Sequence, residues 1–174
     1  ESARMSGLVE DLLLLARLDA GRELASDPVD LIPLAIDAVS DAHAAGPDHE
    51  WVLDLPQFDD EDEDCVSCTV AGDESALRQV FANLVNNARI HTPAGTRVKV
   101  GVQVIGGGAS APGFVRMSVA DDGPGIPPEL RATVFDRFVR GDTSRSRQGK
   151  GSSGLGLSIV SSIAEALGGR VDVD

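Results

Sequence analysis

Arg97-Val98-Lys99-Val100-Gly101-Val102-Gln103-Val104-Ile105 sets a valine at every second position against polar or small neighbours. Successive side chains of a strand point to opposite faces, so this alternation describes a sheet with one buried face. Val115, Met117 and Val119 repeat the pattern downstream and lead to Asp121, with Gly106 to Gly113 read as a flexible hairpin connection. Upstream, Glu50 to Leu55 alternates with Trp51, Leu53 and Leu55 on one face, and Val66 to Val70 reads as a further strand. Cover for the buried face comes from segments with helical periodicity. Leu77, Val80, Phe81, Leu84, Val85 and Ala88 form a stripe over Asp73 to Thr92, with Asp73 as the N-cap. Asp30 to Ala45 reads as a second helix that tolerates Pro33 in its first turn, and Leu155 to Leu167 as a third. The expectation is an α+β fold: a two-layer α/β sandwich, its mixed sheet covered on one face by helices.

Residues 1–22 form a helix ahead of this sandwich. Met5, Leu8, Leu12 and Leu15 make one seam, and Val9, Leu13, Leu14 and Leu18 widen the apolar arc. A lone surface helix needs one stripe, so this arc predicts packing against more than its own domain. Gly21 is its stop. At the other end, Val171 and Val173 are expected to begin one more strand.

Composition sets limits. A chain of 174 residues suits one domain with an extension. The net charge of −13 argues against nucleic acid and against an anionic membrane surface. Arg137, Arg140, Arg145, Arg147 and Lys150, opposed by Asp142 alone, form a local basic exception. Neither a transmembrane run nor a signal peptide is apparent. Cys65 and Cys68 have no second pair or nearby histidine to complete a metal site, and an odd spacing in a strand sends them to opposite faces. They read as two reduced, structural thiols.

Chemistry concentrates in two glycine turns. Asp121-Asp122-Gly123-Pro124-Gly125-Ile126 follows a strand, and Gly151-Ser152-Ser153-Gly154-Leu155-Gly156-Leu157 runs into an apolar helix. Glycine lets backbone N–H groups approach a ligand, and a helix start favours an anion. The Asp121 carboxylate has the wrong charge for a phosphate and suits a donor such as the exocyclic amine of a base. Asn83 and Asn87 lie one turn apart at the edge of the helical stripe, where a neutral amide oxygen can ligate Mg²⁺ between phosphates.

Together these segments resemble the ATP-binding catalytic domain of bacterial sensor histidine kinases, in the superfamily shared with the gyrase B subunit and the heat-shock chaperone ATPase. Asn83 to Ala88 resembles the asparagine box, Asp121 to Gly125 the first glycine box, Phe135 to Phe138 the phenylalanine box and Gly151 to Leu157 the second glycine box. The resemblance makes residues 1–22 the C-terminal part of the second dimerisation-bundle helix and residues 23–174 the catalytic domain, whose terminal strand is missing. It implies that Asp121 accepts the adenine amino group and that Gly123, Gly125 and Ile126 lie along the base. Asn87 would ligate Mg²⁺. Gly151, Gly154, Leu155 and Gly156 would cradle phosphates with Asn83 and Phe138. Arg140 would contact the γ-phosphate, with Arg137 as a further basic candidate and Arg140 to Lys150 as a mobile lid. His91 ends the asparagine-box helix and reads either as a pocket residue or as a capping or solvated one.

Asn83 occupies the position of a glutamate in hydrolytic relatives, and an amide is not a general base. That favours transfer to an imidazole over activation of water. Two departures keep alternatives open. Ile90 stands where many relatives carry Lys or Arg, with Arg89 one residue early, and Ser152 stands where glycine is usual. The histidines His43, His49 and His91 do not lie in a phosphoacceptor setting, so the chain is expected to bind ATP without phosphorylating itself. The resemblance implies as partners a histidine on its own dimerisation domain, a response regulator and a second copy in a homodimer, within the cytoplasmic part of a membrane-anchored sensor kinase. The rival readings are a hydrolytic ATPase or serine kinase of the same superfamily and a nucleotide-binding module without catalysis.

Overall fold

The computed structural model describes residues 2–56, 68–108, 111–139 and 153–174. Helix α1 (Ser2–Asp19) is followed by strand β1 (Asp27–Asp30), helix α2 (Leu31–Ala45), strands β2 (Glu50–Asp54) and β3 (Thr69–Gly72) and helix α3 (Glu74–His91). Strands β4 (Arg97–Gly108) and β5 (Ala111–Asp121), the single turn α4 (Pro128–Arg131) and helix α5 (Gly156–Ala166) complete the order.

The valine alternation builds the sheet as expected. β4 is central, parallel to β2 and antiparallel to β5. Val100, Val102 and Val104 lie opposite Val119, Met117 and Val115. Val98, Val100 and Val102 are wholly buried. Each such side chain contributes about 1.5–3 kcal/mol through removal of apolar surface from water. β2 forms the edge, which leaves Leu53 37% exposed although it shares the face of Trp51. The opposite face carries charge pairs, Arg97 with Glu50 at 3.1 Å and Lys99 with Asp54 at 3.5 Å.

Helices cover the buried face. Asp30 caps α2 by accepting from the Ile32 N–H at 3.0 Å, and Asp73 caps α3 by accepting from the Ala76 N–H at 2.9 Å. α3 is shared between two cores. Leu77, Phe81 and Val85 join Leu31, Leu34 and Ala35 of α2 over the sheet. Ala76 and Val80 join Leu155, Ile159, Val160 and Ile163 of α5.

α1 belongs to this second core through one side only. Leu15 is fully enclosed, with Leu14 and Leu18 packed beside it. Met5, Leu8, Val9, Leu12 and Leu13 remain exposed.

The structure departs from the sequence reading in several places. β1 pairs antiparallel with β3 as a separate two-stranded ribbon. Asp-Pro-Val-Asp carries no alternation, and its strand exists only through the partner's hydrogen bonds. The strand expected from Val66 is Thr69–Gly72, while Val66 and Cys65 lie outside the described residues, as does the acidic stretch at 58–64. The hairpin ladder continues past Ile105, pairing Gly106 with Gly113 and Gly108 with Ala111. Backbone pairing there does not depend on the apolar pattern. Residues 170–174 form no ladder, and Val171 instead packs against the core of α5.

Candidate functional site

β5 places Asp121 at the end of the sheet, opposite Val98. Asp121 is exposed, and its Oδ1 accepts from the Gly123 N–H at 3.0 Å. A side chain at 123 would force its neighbours to shift. A Cβ there would lie 2.8 Å from Asp121 Oδ1 and 2.8 Å from Thr92 Cγ2. The neighbouring Asp122 pins the turn to the start of β4: its Oδ1 accepts from the Arg97 N–H at 2.8 Å. Gly125 takes φ +72°. The Ile126 carbonyl accepts from Arg131 Nε at 3.2 Å. A carboxylate group has about four acceptor positions, so its contact with Gly123 among the described residues leaves Asp121 capacity for an external donor.

α3 carries Asn83 to the start of α5. The Asn83 Oδ1 receives a long contact from Gln79 Nε2 at 3.4 Å, while its Nδ2 is buried with no hydrogen-bond partner. Unsatisfied buried donors are uncommon and call for a partner. A Cβ on Gly156 would stand 3.7 Å from Asn83 Oδ1, so the amide rests against the first residue of α5. No side chain caps this helix. The N–H of the buried Leu155 reaches Ser153 Oγ at 3.3 Å. The dipole and free N–H groups of such a helix start attract anions. Asn87 lies one turn after Asn83 and is half-buried. Among the described residues, no group of three His, Cys, Asp or Glu could hold a metal ion. A cation at Asn87 would therefore need ligands from a bound phosphate, the usual habit of Mg²⁺.

The phenylalanine-box segment and the second glycine turn meet directly. The Phe138 N–H donates to the Gly154 carbonyl at 2.9 Å. Gly154 has φ +72°, and a Cβ on it would lie 3.0 Å from Phe138 Cα. Phe138 itself takes φ +63° and is 62% exposed. Arg140, Lys150 and Gly151 lie outside the described residues.

Two basic residues have other engagements. Arg137 donates through Nη2 to both carboxylate oxygens of Asp19, at 2.6 and 2.7 Å. Arg89 reaches Asn86 Oδ1 at 2.7 Å, and its stem packs against Gly46, where a Cβ would meet Arg89 Cδ at 2.9 Å. A one-residue shift on a helix is about 100°, and this rotation turns Arg89 away from the Asn83 side. His91 is an exposed residue in the last turn of α3. Sequence reasoning missed Thr92 and His49, which lie behind the Asp121 turn. Thr92 Oγ1 is 3.0 Å from His49 Nε2. A threonine one residue past a helix carried a weak signal as a cap, but its contact with Gly123 is tertiary.

The family described as histidine kinase-, DNA gyrase B-, and HSP90-like ATPase matches residues 72–174. Over 173 residues the chain is 53% identical to the probable sensor histidine kinase TcrY of Mycobacterium tuberculosis, covering 99% of this chain and 33% of that protein. It is 46% identical over 174 residues to the sensor histidine kinase TrcS of the same organism, covering 100% of this chain and 32% of that protein. The chain thus spans about a third of the length of these curated relatives. The solved mycobacterial sensor histidine kinase MprB aligns with a TM-score of 0.64 at 31% identity, over 80% of each chain. The Acinetobacter baumannii histidine kinase AdeS aligns with a TM-score of 0.63 at 25% identity, over 95% of this chain and 68% of that one.

Proposed function

The chain belongs to the family of histidine kinase-, DNA gyrase B- and HSP90-like ATPases, and from that premise we propose that it is the ATP-binding catalytic region of a two-component sensor histidine kinase. In this reading residues 1–22 end the second dimerisation-bundle helix and residues 23–174 form the catalytic domain. The observation that carries the proposal is the Asn83 amide. It presents a buried Nδ2 without a partner at the uncapped start of α5, and a phosphate oxygen supplies the missing acceptor.

Each residue then has a task. Asp121 accepts the adenine amino group with capacity that Gly123 leaves free. Gly123, Gly125 and Ile126 border the ring. Asn83, Gly151, Gly154, Leu155 and Gly156 hold phosphates through N–H groups, and Phe138 flanks them. Asn87 offers an amide oxygen to Mg²⁺, which when bound neutralises phosphate charge. Arg140 and Lys150 add positive charge at the transferring γ-phosphate. Because Asn83 cannot abstract a proton, the site orients and neutralises without activating water, which suits transfer to an imidazole nitrogen. The acceptor is a histidine of the dimerisation domain, and a response regulator takes the phosphoryl group next. The exposed apolar side of α1 supports a helical partner and thus a homodimer of the intact protein. No helix among the described residues is long and apolar enough to cross a membrane. The reading places the chain in the cytoplasmic part of a membrane-anchored sensor.

Calorimetric titration with ATP, with and without Mg²⁺, tests the pocket. Binding in the wild-type chain that disappears with Asp121→Ala supports the reading, and absence of binding in the wild type counts against it. One rival gains from Arg89, whose turn toward Asn86 leaves α3 without a basic residue at the phosphates: a nucleotide-binding module that transfers nothing. Phosphohistidine formation in a longer chain with the first bundle helix separates the two.

A further inference from the structure

Thr92 and His49 form a half-buried polar contact directly behind the turn that carries Asp121. The Thr92 hydroxyl has one hydrogen, and the 2.7 Å contact with the Ala88 carbonyl uses it. At 3.0 Å from His49 Nε2, Thr92 Oγ1 is therefore the acceptor and the imidazole is the donor. The other ring nitrogen, Nδ1, is buried without a partner, which matches a proton on Nε2. The ring also faces an aromatic neighbour, lying 5.7 Å from the Trp51 ring at an interplanar angle of 32°. The residue's backbone is tied down as well: the His49 backbone N–H donates to the Gly46 carbonyl at 3.2 Å, and Trp51 Nε1 donates to that same carbonyl at 2.9 Å.

With its oxygen engaged twice, Thr92 turns its methyl group toward the glycine turn. A Cβ on Gly123 would approach Thr92 Cγ2 to 2.8 Å. The Gly123 N–H in turn holds Asp121 Oδ1 at 3.0 Å. We infer that His49 is a positioning residue of the nucleotide-base pocket: through Thr92 it sets Gly123 and hence the direction of the Asp121 carboxylate. This role rests on the ATP-binding reading of Asp121. His49 does not touch the base, and its effect lies in how strongly the base is held.

ATP titrations of the full 174-residue chain, with thermal melts of every variant, test the role. His49→Phe keeps an aromatic ring and removes the donor, Thr92→Val keeps the shape and removes the acceptor, and His49→Gln keeps a donor near Nε2. The first two are expected to weaken ATP binding about tenfold each, the third by no more than about twofold, and the double variant His49→Phe/Thr92→Val no more than either alone. Wild-type affinity in His49→Phe overturns the role. So does His49→Gln being as weak as His49→Phe, or multiplied losses in the double variant. Should His49→Phe fail to fold, Thr92→Val and His49→Gln carry the comparison. Asp121→Ala keeps the two ideas apart. If it abolishes binding while His49→Phe does not weaken it, only the positioning role falls. If wild type does not bind, or Asp121→Ala binds as wild type does, the pocket reading falls and takes the role with it.

Discussion

Phe138 and Gly154 are joined backbone to backbone, the Phe138 N–H donating to the Gly154 carbonyl at 2.9 Å with no space for a side chain on the glycine. The two boxes on either side of residues 140–152 therefore share one clasp. A left-handed conformation costs an ordinary residue about 1–2 kcal/mol. At Gly154 the added methyl would also press on backbone, which does not give way as a flexible side chain does. Gly154→Ala is expected to lower the melting midpoint by several degrees, since each kcal/mol is worth about 2–4 °C in a domain of this size. It should weaken ATP binding as well. An unchanged midpoint in a thermal scan would show that the clasp tolerates displacement.

Asn83 presents the opposite case. Its buried Nδ2 makes no hydrogen bond. Removing it deletes an unsatisfied donor, whose burial costs about 1–3 kcal/mol. Asn83→Ala is thus expected to bind ATP at least about tenfold more weakly while its stability stays within about 1 kcal/mol of wild type. Calorimetry and urea unfolding of the same protein measure both. A large loss of stability with intact binding would reverse the assignment.

Asp11 couples α1 to pH. Partial burial, and after it the charge of Glu10, raises its carboxyl pKa above the ordinary 3.8. A carboxyl whose folded pKa is raised binds more protons folded than unfolded, so stability falls as pH rises from the ordinary value through the folded one. Asp11→Asn should therefore raise the melting midpoint at neutral pH, with a gain that shrinks as the pH is lowered toward about 4. A gain independent of pH would trace to packing or helix propensity.

The Arg137–Asp19 pair joins the phenylalanine box to the last residue of α1, and both side chains are about half exposed. Exposed pairs contribute about 0–1 kcal/mol and are screened by salt. A double-mutant cycle with Arg137→Ala and Asp19→Ala should give a coupling below about 1 kcal/mol that fades in high salt. A larger, salt-insensitive coupling would mean that α1 is held by charge more than by Leu15.

Legibility followed the range of each interaction. Val98, Val100 and Val102 and the cap Asp73 were readable because strand alternation and helix starts are local. The paired turns at Asp121 and Gly154 were readable because a backbone that must turn sharply or be approached closely calls for glycine at short spacing. The Arg137–Asp19 contact spans 118 residues, and nothing near either residue announces it. His49 looked idle because its meaning depends on Thr92, which arrives from the end of α3. The apolar arc of α1 was legible as too wide, but only tertiary packing decides that Leu14, Leu15 and Leu18 turn inward while Leu12 and Leu13 do not. β1 was invisible since its hydrogen bonds depend on β3.

Leu15, the one α1 side chain seated fully among those of α5, makes the joint between helix and domain stepwise. Advancing α1 by one residue swings its surface about 100° and brings Ala16 to the seat, at a cost of the order of a Leu→Ala truncation, about 2–5 kcal/mol. Three residues of travel, about 4.5 Å along the axis, bring Leu12 or Leu18 to the same place. Were α1 to turn on the domain, leucines 12, 15 and 18 would be the notches of a detent. A twist too small to leave one would be resisted, and one large enough to leave it would carry the helix to the next.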